Sequence, residues 1–348
     1  MHIRVIHPVT DPADLAAIQQ VAEAAFLPAV RHVPEIGGSR LAMGADDLYD
    51  SLGIVLAAFP DEQATTALGY AVVRVEMNAN VELAYGDMWV VPQARRQGVG
   101  SALHAEALRV AAEYHRTHLL WQAPSSTSLE HFAKRHEGRQ VERAIRSVLD
   151  LSAVDRARFA ALAEPSPANA AYTLVRWVDH CPADLIDSYC RGLSAMQDAP
   201  LGDSSYQITA FTPEKLAAYQ DGSVKFGVRR HVLVALDGDG EVAGFNSFAS
   251  CPDEPQLLDI WDTGVVRAHR GHGLGLRIKA EGTLWALAQY PAAKWLSTFN
   301  NADNEPMLRV NRELGYQASE DWHGFEFAVP GSSSQASSQA SAQVSEGE

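Results

Sequence analysis

The sequence predicts an α/β (α+β) protein built from two tandem copies of one domain. Three observations carry this. The chain has 348 residues, too many for one ordinary compact domain and enough for two of about 150 each. Residues match across the two halves in one register: Gly69-Tyr70 with Gly244-Phe245, Asp87 with Asp262, Val90-Val91 with Val265-Val266, Arg95 with Arg270, and Gly98 and Gly100 with Gly273 and Gly275. Every pair is 175 positions apart. The strand and helix patterns also follow the same order in both halves. A repeat this long means a duplicated domain and not a solenoid.

In the first half, Asp11-Pro12 opens a helix with Leu15 and Ile18 inward. Ile54 to Phe59 and Leu68 to Val75 read as a hairpin, and Val81 to Val91 as a strand. A helix follows from Gly98 to Tyr114, a strand from Leu119 to Gln122, a helix from Ser128 to Glu137, and closing strands from Gln140 to Leu151. In the second half, Leu174 to Val178 reads as a strand and Pro182 to Met196 as a helix, with Leu185, Ile186, Tyr189 and Leu193 on one side. His231 to Leu236 and Val242 to Phe248 flank Asp237-Gly-Asp-Gly240, a strong hairpin turn. Gln256 to Val266 is a strand. A helix runs from Gly275 to Ala288 and stops before Pro291. Trp295 to Phe299 is a strand, Glu305 to Leu314 a helix capped by Gly315, and Trp322 to Val329 a final strand.

Two prolines and small polar residues between Ala163 and Asn169 mark a boundary. The expected organisation is a first domain over 1–160, a linker over 161–170, a second domain over 171–330 and a disordered tail over 331–348. That tail, GSSSQASSQASAQVSEGE, has too little apolar surface to offset ordering entropy.

Charge narrows the function. There are 28 basic and 43 acidic residues, a net −15, which disfavours nucleic acid as a partner and mildly favours a cationic small molecule. Cys181, Cys190 and Cys251 are few, odd in number and outside any CxxC pair, so a reducing cytoplasm is expected and no disulfide framework. The start of the chain lacks a signal-peptide core, and no run of about 18 apolar residues suggests a membrane span. His115 and His118, or His131 and His136, lack metal-pair spacing, so no metal is expected.

One element carries chemistry: a Val-rich strand, a glycine turn and a helix. It reads Val90-Val-Pro-Gln-Ala-Arg95-Arg-Gln-Gly-Val-Gly100 in the first half and Val265-Val-Arg-Ala-His-Arg270-Gly-His-Gly-Leu-Gly275 in the second. Both fit Arg-x-x-Gly-x-Gly. Glycines permit a sharp turn and close approach of a ligand. The free N–H groups and dipole of the following helix suit a pyrophosphate. No Gly-Lys-Ser/Thr follows, so this is not a Walker loop.

On these turns the sequence resembles the Gcn5-related N-acetyltransferase (GNAT) family in tandem form. Asn304-Glu-Pro-Met-Leu-Arg-Val-Asn311-Arg-Glu-Leu-Gly315-Tyr316 also resembles the family's Asn-x-x-Ala-x-x-x-Tyr-x-x-x-Gly-Phe. The resemblance implies two GNAT-like domains, each a mixed, mostly antiparallel sheet flanked by helices. Two parallel strands would splay to admit the pantetheine arm of acetyl-CoA. It places cofactor contacts at Val265, Val266, Arg270, Gly271, His272, Gly273, Leu274, Gly275 and Asn304, and at Arg95, Gly98 and Gly100.

The family often carries an acidic base eleven residues ahead of the turn. That position is Asp259 in the second half and Ala84 in the first. Asp87 and Asp262, present in both halves, read as features of the fold. Asn311 replaces the family's tyrosine acid, and an amide cannot serve as an acid, though it can hydrogen-bond a thioester or thiol. In the first half Lys134 and Thr127 fall at the tyrosine and asparagine positions. The resemblance thus implies that the second half is catalytic, through Asp259 and Asn311, and the first degenerate. The expected reaction is direct attack of a small cationic amine on the acetyl-CoA thioester, by a monomer or homodimer. A non-catalytic acyl-CoA-binding module, or transfer of a longer acyl group, is the alternative.

Overall fold

The computed structural model describes residues 1–48 and 50–331. The expected tail lies outside these residues from position 332 on. The first half runs β1 (His2–Ile6), α1 (Pro12–Ala25), α2 (Gly38–Ala45), β2 (Ser51–Phe59), β3 (Gly69–Glu76), β4 (Leu83–Val90), α3 (Val99–Glu113), β5 (His118–Pro124), α4 (Thr127–Arg135) and β6 (Arg139–Asp150). A helix α5 (Arg156–Ala163) leads into the second half. There the order is β7 (Thr173–Val178), α6 (Ile186–Leu193), α7 (Pro213–Lys225), β8 (Arg229–Leu236), β9 (Val242–Ser250), β10 (Leu257–Val265), α8 (Leu274–Gln289), β11 (Trp295–Asn301), α9 (Glu305–Leu314) and β12 (Gln317–Ala328).

Local chemistry sets these boundaries. The Asp11 side chain accepts from Ala13 N–H, and Pro12 sits in the first turn of α1. Ala17, Ile18, Val21 and Ala22 then recur on one face and are buried. Thr212 caps α7 in the same way, with Pro213 behind it. Gly315, at φ 91°, ends α9. The segment expected as a helix over 182–196 is a shorter α6 followed by a 3-10 turn over Ser194–Asp198.

All twelve strands form one sheet, in the order β1-β2-β3-β4-β5-β12-β6-β11-β10-β9-β8-β7. Among the described residues only β4–β5 and β10–β11 are parallel. Both last strands cross over. β12, from the second half, pairs with β5 of the first, and β6, from the first half, pairs with β11 of the second. β6 and β12 meet antiparallel at the centre. Their register maps onto itself: Arg139 faces Glu326 and Val148 faces Gln317. Arginines of β6 meet acids of β12 across this seam, Arg139 with Glu326 at 3.1 Å, Arg143 with Asp321 at 3.0 Å and Arg146 with Glu320 at 3.0 Å.

Alternation along the strands gives each half two apolar layers. In the first, Leu56, Val73 and Ala84 meet Leu103 and Ala107 of α3, while Tyr70, Val72 and Trp89 meet α1 on the other face. Ile18 and Val21 of α1 are wholly buried, each contributing on the order of 2 kcal/mol. In the second half, Phe248, Leu258 and Ile260 meet α8, and Val232, Val234 and Phe245 meet α6 and Leu216 of α7.

Candidate active site

The two turns are built alike. In the first half Arg96 and Gly98 adopt φ 63° and 86°; in the second Gly271 and Gly273 adopt 85° and 70°. Gly98 and Gly273 are the N-caps of α3 and α8, and no side chain caps either helix. The first-turn N–H groups are thus left for an outside acceptor, the property a pyrophosphate needs. The arginines tie the turn to its strand: Arg95 Nε donates to Val90 O at 3.1 Å and Arg270 Nε to Val265 O at 2.9 Å. Arg270 also pairs with Asp198 at 3.0 Å. Val266 N–H donates to Ala243 O, fixing the end of β10.

The segment between the halves braces the second turn. Asn169 Nδ2 donates to His272 O at 3.1 Å, and Gly273, where a Cβ would stand 3.6 Å from that same nitrogen, lies directly above it. Arg277 of α8, nearly buried, donates to the carbonyls of Ala163, Asn169 and Tyr172. Leu274 is buried in the core and Gly275 lies against Val265.

Beside each turn the parallel strands fork. β4 and β5 pair from Leu83–His118 to Gly86–Trp121, and β10 and β11 from Leu257–Trp295 to Asp259–Ser297; beyond these the strands part. β10 carries a bulge at Trp261, where its register against β9 shifts. β4 holds an unbroken register with β3. Bulges re-aim backbone and side-chain groups and concentrate near active sites.

A cavity of about 290 Å³ abuts both forks. Asp87 and Trp89 line it from the first, Asp259 and Phe299 from the second; Phe26, Val30 and Ile36 help close it. The sequence expectation made Asp259 a general base; the structure gives it two partners. Arg40 of α2 donates to one oxygen at 2.6 Å and the Ser297 hydroxyl to the other. Burial pushes this carboxyl up, but Arg40 and Ser297 outweigh it and hold it below the usual carboxylate range. Asp87 behaves oppositely. Burial dominates and raises its pKa, although the Trp89 indole N–H donates to it. The counterpart Asp262 is paired with Arg230 at 3.0 Å and accepts from Ser247 at 3.0 Å. In the first half the register puts Gly53 at the place of Arg230, since Gly53 faces Arg74 as Arg230 faces Ala249, so Asp87 has no such arginine partner and feels Arg74 only through charge.

Asn304 caps α9, accepting from Met307 N–H at 3.3 Å. Asn311 is buried. It accepts from Lys279 Nζ at 2.7 Å and donates through Nδ2 to Asn300 Oδ1 at 2.7 Å. Helix ends correct one alignment. The offset between halves grows from 175 at the turns to 178 at these caps, so Ser126, which accepts from Leu129 N–H, matches Asn304, and Ala133 matches Asn311. Thr127 and Lys134 each lie one residue past those positions. Lys279 and Asn300 escaped sequence reasoning because neither belongs to a motif.

All three cysteines are buried and unpaired. Burial pushes the Cys181 and Cys251 thiols up to about 12, which leaves them unreactive as nucleophiles. Among the described residues, no group of three or more His, Cys, Asp or Glu side chains is placed to hold a metal, and no helix is long and apolar enough to cross a membrane.

Comparison with known proteins agrees with this architecture. The chain matches the acetyltransferase (GNAT) family over residues 32–137 and 201–316, more than half its length. No curated protein sequence matches it. Among solved structures, it is similar to a tandem GNAT protein from the clavulanic acid biosynthesis pathway, at TM-score 0.76 and 21% identity, covering 94% of this chain and 98% of that one. It is also similar to a GCN5-related N-acetyltransferase from Sphaerobacter thermophilus (TM-score 0.61, 17% identity, 94% and 95% covered). A third likeness is to a glucosamine N-acetyltransferase region of a fungal multi-domain β-N-acetylglucosaminidase (TM-score 0.61, 15% identity, 94% and 38% covered). With two uncapped glycine turns, two forked strand pairs and a family match in each half, the chain belongs to the GNAT family and is a tandem acyl-CoA-dependent N-acetyltransferase.

Proposed function

We propose that the chain transfers the acetyl group of acetyl-CoA to the amine of a small cationic molecule, with the second half holding the donor and the cavity between the forks holding the acceptor. The observation that carries this is Asn311: its amide is hydrogen-bonded to Asn300, in the stretch of β11 that has left β10, whereas Ala133 stands at that place in the first half. The bulge at Trp261, found in β10 and not in β4, favours the same half.

The uncapped start of α8, from Gly273 to Gly275, would hold the pyrophosphate, with Arg270 fixing the turn. Bound there, acetyl-CoA supplies a thioester whose carbonyl carbon the neutral amine attacks, the C–S bond breaking with its electron pair leaving on sulfur. The cavity carboxylates divide the remaining work. Environments that push two acids apart assign their roles. Asp259, kept ionised by Arg40, draws the ammonium in, and Asp87, raised by burial, takes its proton. The walls are mostly apolar, so the acceptor carries its charge on an apolar body that fits about 290 Å³. The three buried free cysteines support a reducing compartment, the cytoplasm.

Thiol release from acetyl-CoA across a panel of amines tests the reading. Asp87→Asn should lower kcat about 100-fold while acetyl-CoA still binds. Tight CoA binding with no thiol release for any amine would make the protein a binding module instead. Loss of turnover in Gly98→Val with full activity in Gly273→Val would move the donor to the first half. A faster reaction with a longer acyl-CoA would change the group transferred.

A further inference from the structure

We propose that Lys279 is a positioning residue for acyl transfer: it fixes the Asn311 amide in the orientation that presents an N–H to the leaving sulfur. The inference rests on the reading that the second half holds the acyl donor.

The geometry is a short relay. Lys279 lies on α8, just beyond its uncapped start, and is 1% exposed. Its Nζ donates to Asn311 Oδ1, and Asn311 Nδ2 donates to Asn300 Oδ1, both at 2.7 Å. Asn300 stands three residues beyond Ser297, the last residue of β11 paired with β10. The relay therefore runs from inside the α8–α9 contact to the fork. A lysine nitrogen has donors and no acceptor. Turning the amide over would set NH₂ against NH₃⁺, so Lys279 leaves Asn311 only one orientation. One Nδ2 hydrogen goes to Asn300 and the second is free.

A lysine in this place needs a reason. An apolar side chain would fill it without desolvating a charge. The groups against it are Asn311 of α9, the Tyr316 ring at 5.0 Å, and Thr283 of α8, whose hydroxyl bonds the Lys279 carbonyl. Among the described residues no carboxylate pairs with it. Burial alone lowers its pKa to about 7. The first half keeps a different polar residue here. His104, 175 positions earlier, accepts from the Trp121 indole and meets the His136 ring edge-on, with Ala133 in place of the amide.

In the transfer, the amine nitrogen bonds the carbonyl carbon, the C–S pair moves to sulfur, the amine proton goes to a carboxylate, and sulfur later takes a proton from water. Asn311 gives up no proton. Its free N–H meets the charge growing on sulfur, and the Lys279 ammonium polarises that N–H. The ammonium is present below pH about 7 and lost above it, so turnover falls on the alkaline side.

Lys279→Met and Asn311→Leu test this, with Lys279→Gln as a neutral donor should the methionine variant fail to fold. Three readouts apply. The side-chain amide resonance of Asn311 should titrate near pH 7 in the unaltered protein and stay flat in Lys279→Met and Lys279→Gln. The preference for CoA over desulfo-CoA should vanish in Lys279→Met and Asn311→Leu and survive in part in Lys279→Gln. The methionine variant should lose about tenfold or more in kcat at pH 6, keep its affinity for desulfo-CoA, and lose the alkaline limb. A flat amide resonance in the unaltered protein overturns the proposal. So does a methionine variant that keeps both the CoA preference and the alkaline limb. If the unaltered protein releases no thiol with any amine, the transfer reading fails by itself, and the resonance and the affinity ratio still decide the role of Lys279.

Discussion

Arg96 occupies a backbone conformation that glycine tolerates and arginine does not. Its φ of 63° matches the 85° of Gly271 at the same place in the second turn. A side chain in the left-handed region costs roughly 1 kcal/mol. Arg96→Gly should therefore raise stability by up to about 1 kcal/mol, partly offset by the greater freedom of glycine in the unfolded chain. Thermal melts would check it, and a lower melting temperature would show that the Arg96 side chain holds something in place. Single residues were legible where a motif named them: the turns, Asn311 and Asp259 all lie beside a fork or a helix start. Partners were not legible. Nothing in the sequence places Arg40 beside Asp259, 219 positions away, and that contact decides what the carboxylate does. Asp87 and Asp262 look the same in sequence and differ in the structure because Arg230 faces one and Gly53 stands at the matching position for the other.

At the scale of elements, the strands and the helices α3, α4, α8 and α9 follow from apolar period and glycine or proline punctuation. The helices α2, α5 and α7 and the strand β1 stand outside the elements expected from sequence. For α7 the signal was present, since Thr212-Pro213 is a good helix start. For α5 it was not: its apolar face is weak, and Phe159 is its one buried residue. The expected linker over 161–170 includes the end of α5 and the Asn169 brace. Arg277 makes this segment part of the second turn. Replacing it with methionine would take a donor from the carbonyls of Ala163, Asn169 and Tyr172, leaving Asn169 O with only the Tyr172 N–H at 3.3 Å, at about 1–3 kcal/mol. Arg277→Met should also weaken acetyl-CoA binding several-fold, because the turn rests on Asn169. Calorimetry of binding together with a melt would read both effects. Unchanged affinity in a destabilised protein would separate the brace from the site.

At the scale of the molecule, the duplication was legible and the crossing of the last strands was not. A strand's alternation says which face is buried, not which neighbour it pairs with. β6 and β12 alternate in the same way whether they close their own half or the other. With the strands exchanged, each half lacks its own last strand and offers an unpaired edge. Residues 1–160 and 171–331, produced separately, should each be poorly folded and aggregate. Produced together they should restore the sheet, as judged by circular dichroism and size-exclusion chromatography. Two independently folded, monomeric fragments would contradict this.

The self-mapping register of β6 and β12, with Arg139 facing Glu326 and Val148 facing Gln317, has an ancestral consequence. A chain of half this length would find the missing strand only in a second copy of itself. Two such copies, each donating its last strand around a two-fold axis, would build the same sheet. Joining two such copies in one chain would turn that bimolecular assembly into an intramolecular one, independent of protein concentration. It would also free the two sites from having to be identical. One fork could then keep an amide and a lysine, while the other contributed a carboxylate to a cavity that both share.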